Sequence, residues 1–143
     1  MIGAGGIGSN LLRILAPTLS QSILSERLGG IEITIFDSDL VEQNNLHHQG
    51  YSAFDIGKYK VHALVESLSI FESSLISFKP INCDVNESTN LDRFNLVIVC
   101  VDSPHARIIT HSNCLRWLDL RCRGDNFMAL DYNADDGVIK SLT

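Results

Sequence analysis

The residues at positions 3 to 8, Gly-Ala-Gly-Gly-Ile-Gly, follow a G-x-G-x-x-G pattern, whose chemistry is phosphate binding. Such a turn joins a strand to a helix, and its glycines let backbone N–H groups approach a phosphate at the helix N-terminus. The pattern therefore predicts a nucleotide site formed by Gly3, Gly5, Gly6 and Gly8. Because Met1 stands only two residues before the turn, almost all of the strand expected there is missing, and we expect the chain to be a fragment.

A second residue suited to nucleotide chemistry is Asp37, which ends the predicted strand Ile31–Asp37. In dinucleotide-binding folds, an acidic residue at the end of the second strand binds ribose hydroxyls. We therefore expect Asp37 to contact a ribose. Gly8 and Asp37 are 29 positions apart, whereas the usual spacing is about 20. This difference predicts a long first helix or an inserted turn near Pro17.

The elements that must position these residues alternate between strand and helix, which predicts a parallel sheet with right-handed crossovers. The predicted strands are a stub at Ile2, then Ile31–Asp37, Leu75–Asp84, Leu96–Val101 and Trp117–Cys122. The predicted helices are Ser9–Leu28, kinked or divided at Pro17, then Lys58–Glu72 and one that opens at Ser103-Pro104. A long functional loop is predicted over Ser38–Gly57, and a hairpin between Phe127–Tyr132 and Val138–Leu142. The fold class is α/β: a Rossmann-like, mostly parallel sheet with helices on both faces, incomplete at the N-terminus, in one domain over residues 1–143.

Composition excludes several classes of function. The formal charge of −6 and the pI of about 5.2 argue against nucleic-acid and anionic-membrane partners, which favour basic surfaces. The sequence has neither a signal-peptide pattern nor an apolar run near the roughly 20 residues that span a bilayer. The four cysteines, Cys83, Cys100, Cys114 and Cys122, form no C-x-x-C pair, so the sequence predicts no zinc site in this segment. A cytoplasmic location fits these features.

Three further blocks carry a resemblance to a known family. Residues 35–49, IFDSDLVEQNNLHHQ, resemble the pattern D-x-D-x-V-x-x-x-N-L-x-R-Q of the ThiF/MoeB/HesA family, the ubiquitin-activating-type adenylyltransferases. Residues 55–61, DIGKYKV, resemble its G-x-x-K-V block, and residues 99–107, VCVDSPHAR, its C-x-D-[NS]-x-x-x-R block. With the glycine turn, four blocks stand in register over about residues 2 to 110, which is far more specific than any one of them.

The resemblance implies an ATP-dependent reaction in which a carboxylate attacks the α-phosphate and pyrophosphate leaves. The glycines would cradle ATP, Asp37 would hold the ribose, and Asn45 with its loop would line the triphosphate. Lys60 would bind phosphate and stabilise the transition state, and Asp102 would hold Mg²⁺. The nucleotide-binding set that the resemblance implies further includes Asp39, Asn44, His48 and Ser103. Taken alone, Lys60 would be an ordinary surface lysine and Asp102 a residue that ends a strand.

His48 departs from the family pattern, which has arginine at this position. Arginine offers a permanent charge and a bidentate fork for phosphate, which histidine lacks. We keep His48 in the predicted catalytic set with Lys60 and Asp102. Its identity keeps a second hypothesis open, that the chain is a non-catalytic or degenerate partner subunit. A third hypothesis, an NAD-dependent oxidoreductase domain, rests on the glycine turn and Asp37 alone and leaves Lys60 and Asp102 without roles.

The resemblance also implies partners and missing parts. The substrate would be a ubiquitin-like or sulfur-carrier protein with a C-terminal Gly-Gly, and the full-length protein would be a homodimer or heterodimer. The family's later half holds C-x-x-C zinc pairs and often a catalytic cysteine, so zinc is expected only in a missing C-terminal part. We assign no nucleophilic role to Cys114 or Cys122. Asp119 and Arg121 have no role in the family pattern.

Overall fold

A computed structural model describes residues 1–135 and 137–139 of the chain. Within them lie five strands, β1 Ile31–Phe36, β2 Ile76–Ile81, β3 Val97–Val99, β4 Trp117–Arg123 and β5 Asn126–Asp131. The α-helices there are α1 Gly6–Ser20, α2 Ile23–Arg27, α3 Lys60–Leu68 and α4 Pro104–Asn113. Short 3₁₀ helices cover Gln43–His47, Ala53–Asp55 and Ser69–Phe71. Every helix in these residues is too short or too polar to cross a bilayer.

The strands form one mixed sheet whose two halves meet at Ile2. β1 pairs with β2 in parallel, β3 pairs with β4 in parallel, and β5 is antiparallel to β4. Ile2 bridges Phe36 on one side and Val99 on the other, both in parallel. The Ile2 N–H donates to Ile98 (2.8 Å), and the Ile2 carbonyl accepts from Cys100 N–H (2.8 Å). The order β2-β1-Ile2-β3-β4-β5 is that of a Rossmann-type sheet with Ile2 in the position of the first strand, which confirms the predicted fold class.

Both faces of the sheet are buried at its middle, around the carboxyl end of β1. Successive side chains of a strand point to opposite faces, and Ile35 and Phe36 are 0% and 4% exposed. On the face of Ile35 pack apolar residues of α1 and α3, among them Leu12, Ala16, Val61, Leu64 and Leu68. On the face of Phe36 pack Val97, Val99, Cys114 and Trp117. Two-sided burial at the middle of the sheet fits the continuous apolar run of β3.

The helices begin and end near their predicted signals. The predicted first helix is divided, as expected, because α1 ends at Ser20, three residues after Pro17, and Ser22 caps α2 by accepting from Leu24 N–H (2.9 Å). α4 begins at Pro104, and the Ser103 hydroxyl accepts from Ala106 N–H (3.4 Å). The helix predicted over Lys58–Glu72 is shorter, since α3 ends at Leu68 and a 3₁₀ turn follows.

The hairpin predicted at the C-terminal end is wrong in its pairing. The predicted strand Phe127–Tyr132 exists as β5, but its antiparallel partner is the preceding strand, β4. A two-residue turn joins them, and Gly124 in that turn has a φ of +59°, which glycine adopts without strain. Of the predicted second strand, residues 138 and 139 are helical and residues 140–142 lie outside the described residues.

Candidate active site

A cavity of about 640 Å³ opens beyond the carboxyl ends of β1 and β3, beside the turn that precedes α1. This is the edge at which open α/β sheets bind ligands. The predicted site residues that line it are Gly3, Gly5, Gly6, Asp37, Asp39, His48, Lys60, Asp102 and Ser103. Gly8, Asn44 and Asn45 are absent from the lining. The structure thus brings together nine of the predicted residues, drawn from four segments of the chain: residues 3–6, 37–48, 60 and 102–103.

The glycines of the turn have two different uses. A Cβ on Gly8 would lie 2.1 Å from the Gly3 carbonyl oxygen, and one on Gly3 would lie 2.8 Å from the Cys100 carbonyl oxygen, so these two allow α1 and the sheet to pack closely. Gly3 also has a φ of +94°. By contrast, a Cβ on Gly5 would have no neighbour within 4 Å. Gly5 and Gly6 line the cavity where α1 begins, and open backbone at a helix N-terminus suits a phosphate.

Asp37 ties the end of β1 to this turn. One of its carboxylate oxygens accepts from Ala4 N–H (2.7 Å) and the other from Asp39 N–H (2.9 Å). Burial raises the pKa of the Asp37 carboxyl above its usual range, although the two backbone hydrogen bonds oppose that shift. A carboxylate has about four lone-pair sites, so two more acceptors remain for ribose hydroxyls. That Asp37 contacts a ribose stays a prediction.

Lys60 is held at the cavity wall by an ion pair. Its Nζ lies 2.7 Å from Asp39 Oδ2, and its backbone N–H donates to the Asp39 carbonyl (2.8 Å). The Lys60 side chain is only 9% exposed, whereas that of Asp39 is 67% exposed. Lys60 is therefore not the solvated surface lysine that its helical position alone would suggest. Asp39 thus holds the ammonium group at the cavity wall.

The loop that carries His48 is fastened to α1 and to the glycine turn. Gly50 N–H donates to Ser9 Oγ (3.0 Å), and the Arg13 guanidinium donates to the Gly50 carbonyl. The Tyr51 hydroxyl, which is buried, donates to the Ala4 carbonyl at 2.5 Å. Burial raises the pKa of Tyr51, so it remains a neutral donor. These bonds leave His48 exposed at the cavity wall beside the start of α1.

Asn44 and Asn45 both lie in the loop, and Asn45 stabilises it. Asn45 Oδ1 accepts from Glu42 N–H (2.8 Å), which closes a capping box on the 3₁₀ helix Gln43–His47. Asn44 is exposed. Their part in nucleotide binding stays a prediction. Tyr51 was missed by sequence reasoning, because a tyrosine in a polar loop gives no sign that its hydroxyl reaches a residue 47 positions away.

The donor set suits Mg²⁺ rather than zinc. Asp102 presents an exposed carboxylate at the cavity, whereas the Asp39 carboxylate is already paired with Lys60, and Mg²⁺ takes one or two carboxylates with phosphate oxygens and water. Among the described residues, no three His, Cys, Asp or Glu side chains are grouped to hold a metal ion. The residues present therefore fit an ion that the nucleotide itself would help to coordinate.

Comparison with known proteins decides the family. The sequence model of the ThiF family matches residues 1–118. The chain belongs to the ThiF family. A curated relative of this ThiF-family chain, the adenylyltransferase and sulfurtransferase UBA4 of Yarrowia lipolytica, is 29% identical over 118 residues. The match covers 80% of this chain and 27% of UBA4.

Solved structures share the fold of this ThiF-family chain. E. coli MccB with succinimide has a TM-score of 0.71 at 22% identity, and MccB with ATP has 0.64 at 23%; both matches cover 99% of this chain and 44% of MccB. E. coli tRNA N6-threonylcarbamoyladenosine dehydratase, TcdA, in complex with AMP has a TM-score of 0.59 at 19% identity, over 78% of this chain and 44% of TcdA. The chain thus spans less than half the length of these proteins.

Proposed function

We propose that this chain binds ATP with Mg²⁺ and adenylates a carboxylate, with release of pyrophosphate. The observation that carries the proposal is the convergence of the glycine turn, Asp37, Lys60 and Asp102 on one cavity at the carboxyl edge of the sheet. A hydride-transferring NAD site would use the turn and Asp37, but Lys60 and Asp102 would have no function in it. Membership of the ThiF family and the likeness to UBA4 support the same class of reaction.

Each residue has a separate task in this reaction. The backbone at Gly5 and Gly6 would receive phosphate at the α1 N-terminus, while Asp37 would hold the ribose. The attacking carboxylate and the α-phosphate repel each other, and the Lys60 ammonium would offset that charge as it grows in the transition state. Mg²⁺, held by Asp102, would supply further neutralisation of the phosphates. Asp39 keeps Lys60 in place before the nucleotide arrives.

The carboxylate would be the C-terminus of a ubiquitin-like or sulfur-carrier protein that ends in Gly-Gly. UBA4, by its name an adenylyltransferase and sulfurtransferase, supports such a carrier. We extend the proposal to one nucleotide-binding domain over residues 1–143, a homodimer or heterodimer in the full-length protein, and a cytoplasmic location.

One observation favours a second function. His48 occupies the cavity wall at the position where the family pattern has arginine, and it is exposed there. A chain that binds ATP but lacks this charge fits a non-catalytic partner subunit. The two functions differ in turnover rather than in nucleotide binding.

Pyrophosphate exchange tests the proposal and separates it from the alternative. The folded chain is mixed with ATP, Mg²⁺, labelled pyrophosphate and candidate carriers with a C-terminal Gly-Gly, and label in ATP is measured. The proposal expects exchange that depends on the carrier and is lost when the carrier's last glycine is removed. ATP binding without exchange for any carrier would favour the partner-subunit function, and absence of ATP binding would reject both.

A further inference from the structure

The backbone that carries Asp102 has left the sheet and is held by an arginine. After Cys100, whose N–H donates to Ile2, β3 has no further ladder partners among the described residues. Beyond that point the Arg107 guanidinium holds the backbone, because it donates to the carbonyls of Val101 and Asp102, the latter at 3.2 Å. Two successive carbonyls thus bind the two arms of one planar fork. Arg107 thereby fixes the peptide from which the Asp102 side chain projects.

The guanidinium is held in turn by a buried carboxylate on β4. Asp119 is 0% exposed, and its Oδ1 lies 3.4 Å from Arg107 Nε. By hydrogen-bond geometry these two buried atoms have no partner among the described residues, so the contact between them is an ion pair. The second carboxylate oxygen accepts from Arg121 at 2.6 and 3.1 Å and lies 3.2 Å from His111 Nε2. The ion pairs on both oxygens offset the cost of burying the Asp119 charge.

We propose that Arg107 and Asp119 are positioning residues for the Mg²⁺ site at Asp102. Asp119 orients the guanidinium, and the guanidinium orients the loop that presents the Asp102 carboxylate. The inference deepens the proposed function and rests on it. Groups that orient a metal ligand without touching the metal typically change metal affinity by roughly 10- to 100-fold when they are lost. The arrangement also gives Asp119 a task, which the family pattern did not provide.

Arg107 lines the cavity as well, so direct contact with the nucleotide is the competing explanation. Its two terminal nitrogens are already engaged by backbone carbonyls, and its side chain is only 13% exposed. A positioning role and a direct phosphate contact differ in one measurable respect. Loss of positioning weakens binding only when Mg²⁺ is present, whereas loss of a phosphate contact weakens binding with or without the metal.

The test uses Arg107→Lys, which keeps the charge but lacks the planar fork that engages two successive carbonyls. Calorimetry measures the Kd of ATP for each protein in Mg²⁺ and again in EDTA. We expect Arg107→Lys to raise the Kd in Mg²⁺ roughly 10-fold or more and to leave the Kd in EDTA within about twofold. Asp119→Asn should show the same pattern. Arg116→Gln, which changes an exposed arginine outside the cavity lining, is the matched control and should behave as the parent chain.

The outcomes separate this inference from the proposed function. If the parent chain binds no ATP in either buffer, the proposed function fails and the inference fails with it. If the parent chain binds ATP more tightly with Mg²⁺, but Arg107→Lys loses affinity equally in both buffers or in neither, only the inference is overturned. Circular-dichroism melts confirm that each variant is folded at the temperature used. Should Arg107→Lys not fold, Asp119→Asn decides by the same comparison.

Discussion

At the scale of single residues, Lys60 is the side chain on which the proposed chemistry depends most directly. It is buried against the cavity and paired with Asp39 at 2.7 Å. We predict that Lys60→Met, which keeps the length of the side chain and removes its charge, lowers the exchange rate about 100- to 1,000-fold. Asp39 would remain hydrated after this change, because its side chain is largely exposed, so the fold should be retained. Pyrophosphate exchange and a thermal melt measure the two effects.

The matched control for that prediction is Lys79→Met on β2. Lys79 is an exposed lysine that does not line the cavity. It should leave the exchange rate within about twofold of the parent, since surface substitutions away from special features change little. Equal rates for Lys60→Met and the parent chain would show that the buried ammonium group has no part in the reaction.

The role of His48 can also be tested with a single substitution. It is exposed beside the start of α1, so a longer side chain has room there. We predict that His48→Arg lowers the Kd for ATP about 10-fold, because arginine adds a permanent charge and a two-pronged donor for phosphate. Calorimetry gives the Kd. His47→Arg, an exposed neighbour outside the cavity lining, controls for charge alone, and equal gains from both variants would contradict a phosphate contact at His48.

At the scale of elements, the turn before α1 contains one glycine that the fold requires and another that the proposed ATP binding requires. We predict that Gly8→Ala destabilises the fold by about 3 kcal/mol or more, because its Cβ would lie 2.1 Å from backbone. Gly5→Ala should keep the melting temperature, because its φ is −74° and nothing lies within 4 Å of the added carbon. It should still weaken ATP binding, since that carbon would enter the cavity.

Thermal melts and calorimetry on the two glycine variants form one experiment. The expected pattern is a lower melting temperature for Gly8→Ala and an unchanged one, with weaker ATP binding, for Gly5→Ala. If Gly5→Ala binds ATP as the parent does, the phosphates do not lie at the start of α1.

Sequence patterns predicted those elements whose signals are local. The apolar run before Asp102, the Ser103-Pro104 helix start and the break after Pro17 all depend on neighbouring residues, and the structure confirms them. The Phe127 strand pairs with the preceding strand instead, because Gly124-Asp125 forms the two-residue hairpin turn that joins them. The burial of Lys60 and the reach of Tyr51 depend on contacts with distant segments, which no local pattern encodes.

At the scale of the whole molecule, acid stability depends on the buried carboxylate on β4. Burial alone would raise the pKa of Asp119, but His111, Arg121 and Arg107 hold it below its usual range. A carboxyl group with a lowered pKa stabilises the fold above its unfolded value of about 3.9. That contribution is lost as the pH falls through the lower folded value. We therefore predict that Asp119→Asn lowers the free energy of unfolding by about 3–5 kcal/mol at pH 7.

Urea unfolding of both proteins between pH 7 and pH 2.5 checks this prediction. The gap in unfolding free energy between the parent chain and Asp119→Asn should shrink below about pH 4, because a protonated aspartate resembles asparagine. Asp37, whose pKa burial raises, acts in the opposite direction, but it is present in both proteins and cancels in the difference. A gap that stays constant down to pH 2.5 would show that the Asp119 charge does not stabilise the fold.

The proposed function requires the cavity at the carboxyl edge of the sheet to be an ATP site. Calorimetry of the folded chain with ATP and Mg²⁺, and separately with NAD, measures this. We expect one molecule of ATP bound per chain, weakened by Lys60→Met and by Gly5→Ala, and no binding of NAD. Binding of NAD without binding of ATP would contradict this proposal, because the ligand of the cavity would then need neither Lys60 nor Asp102.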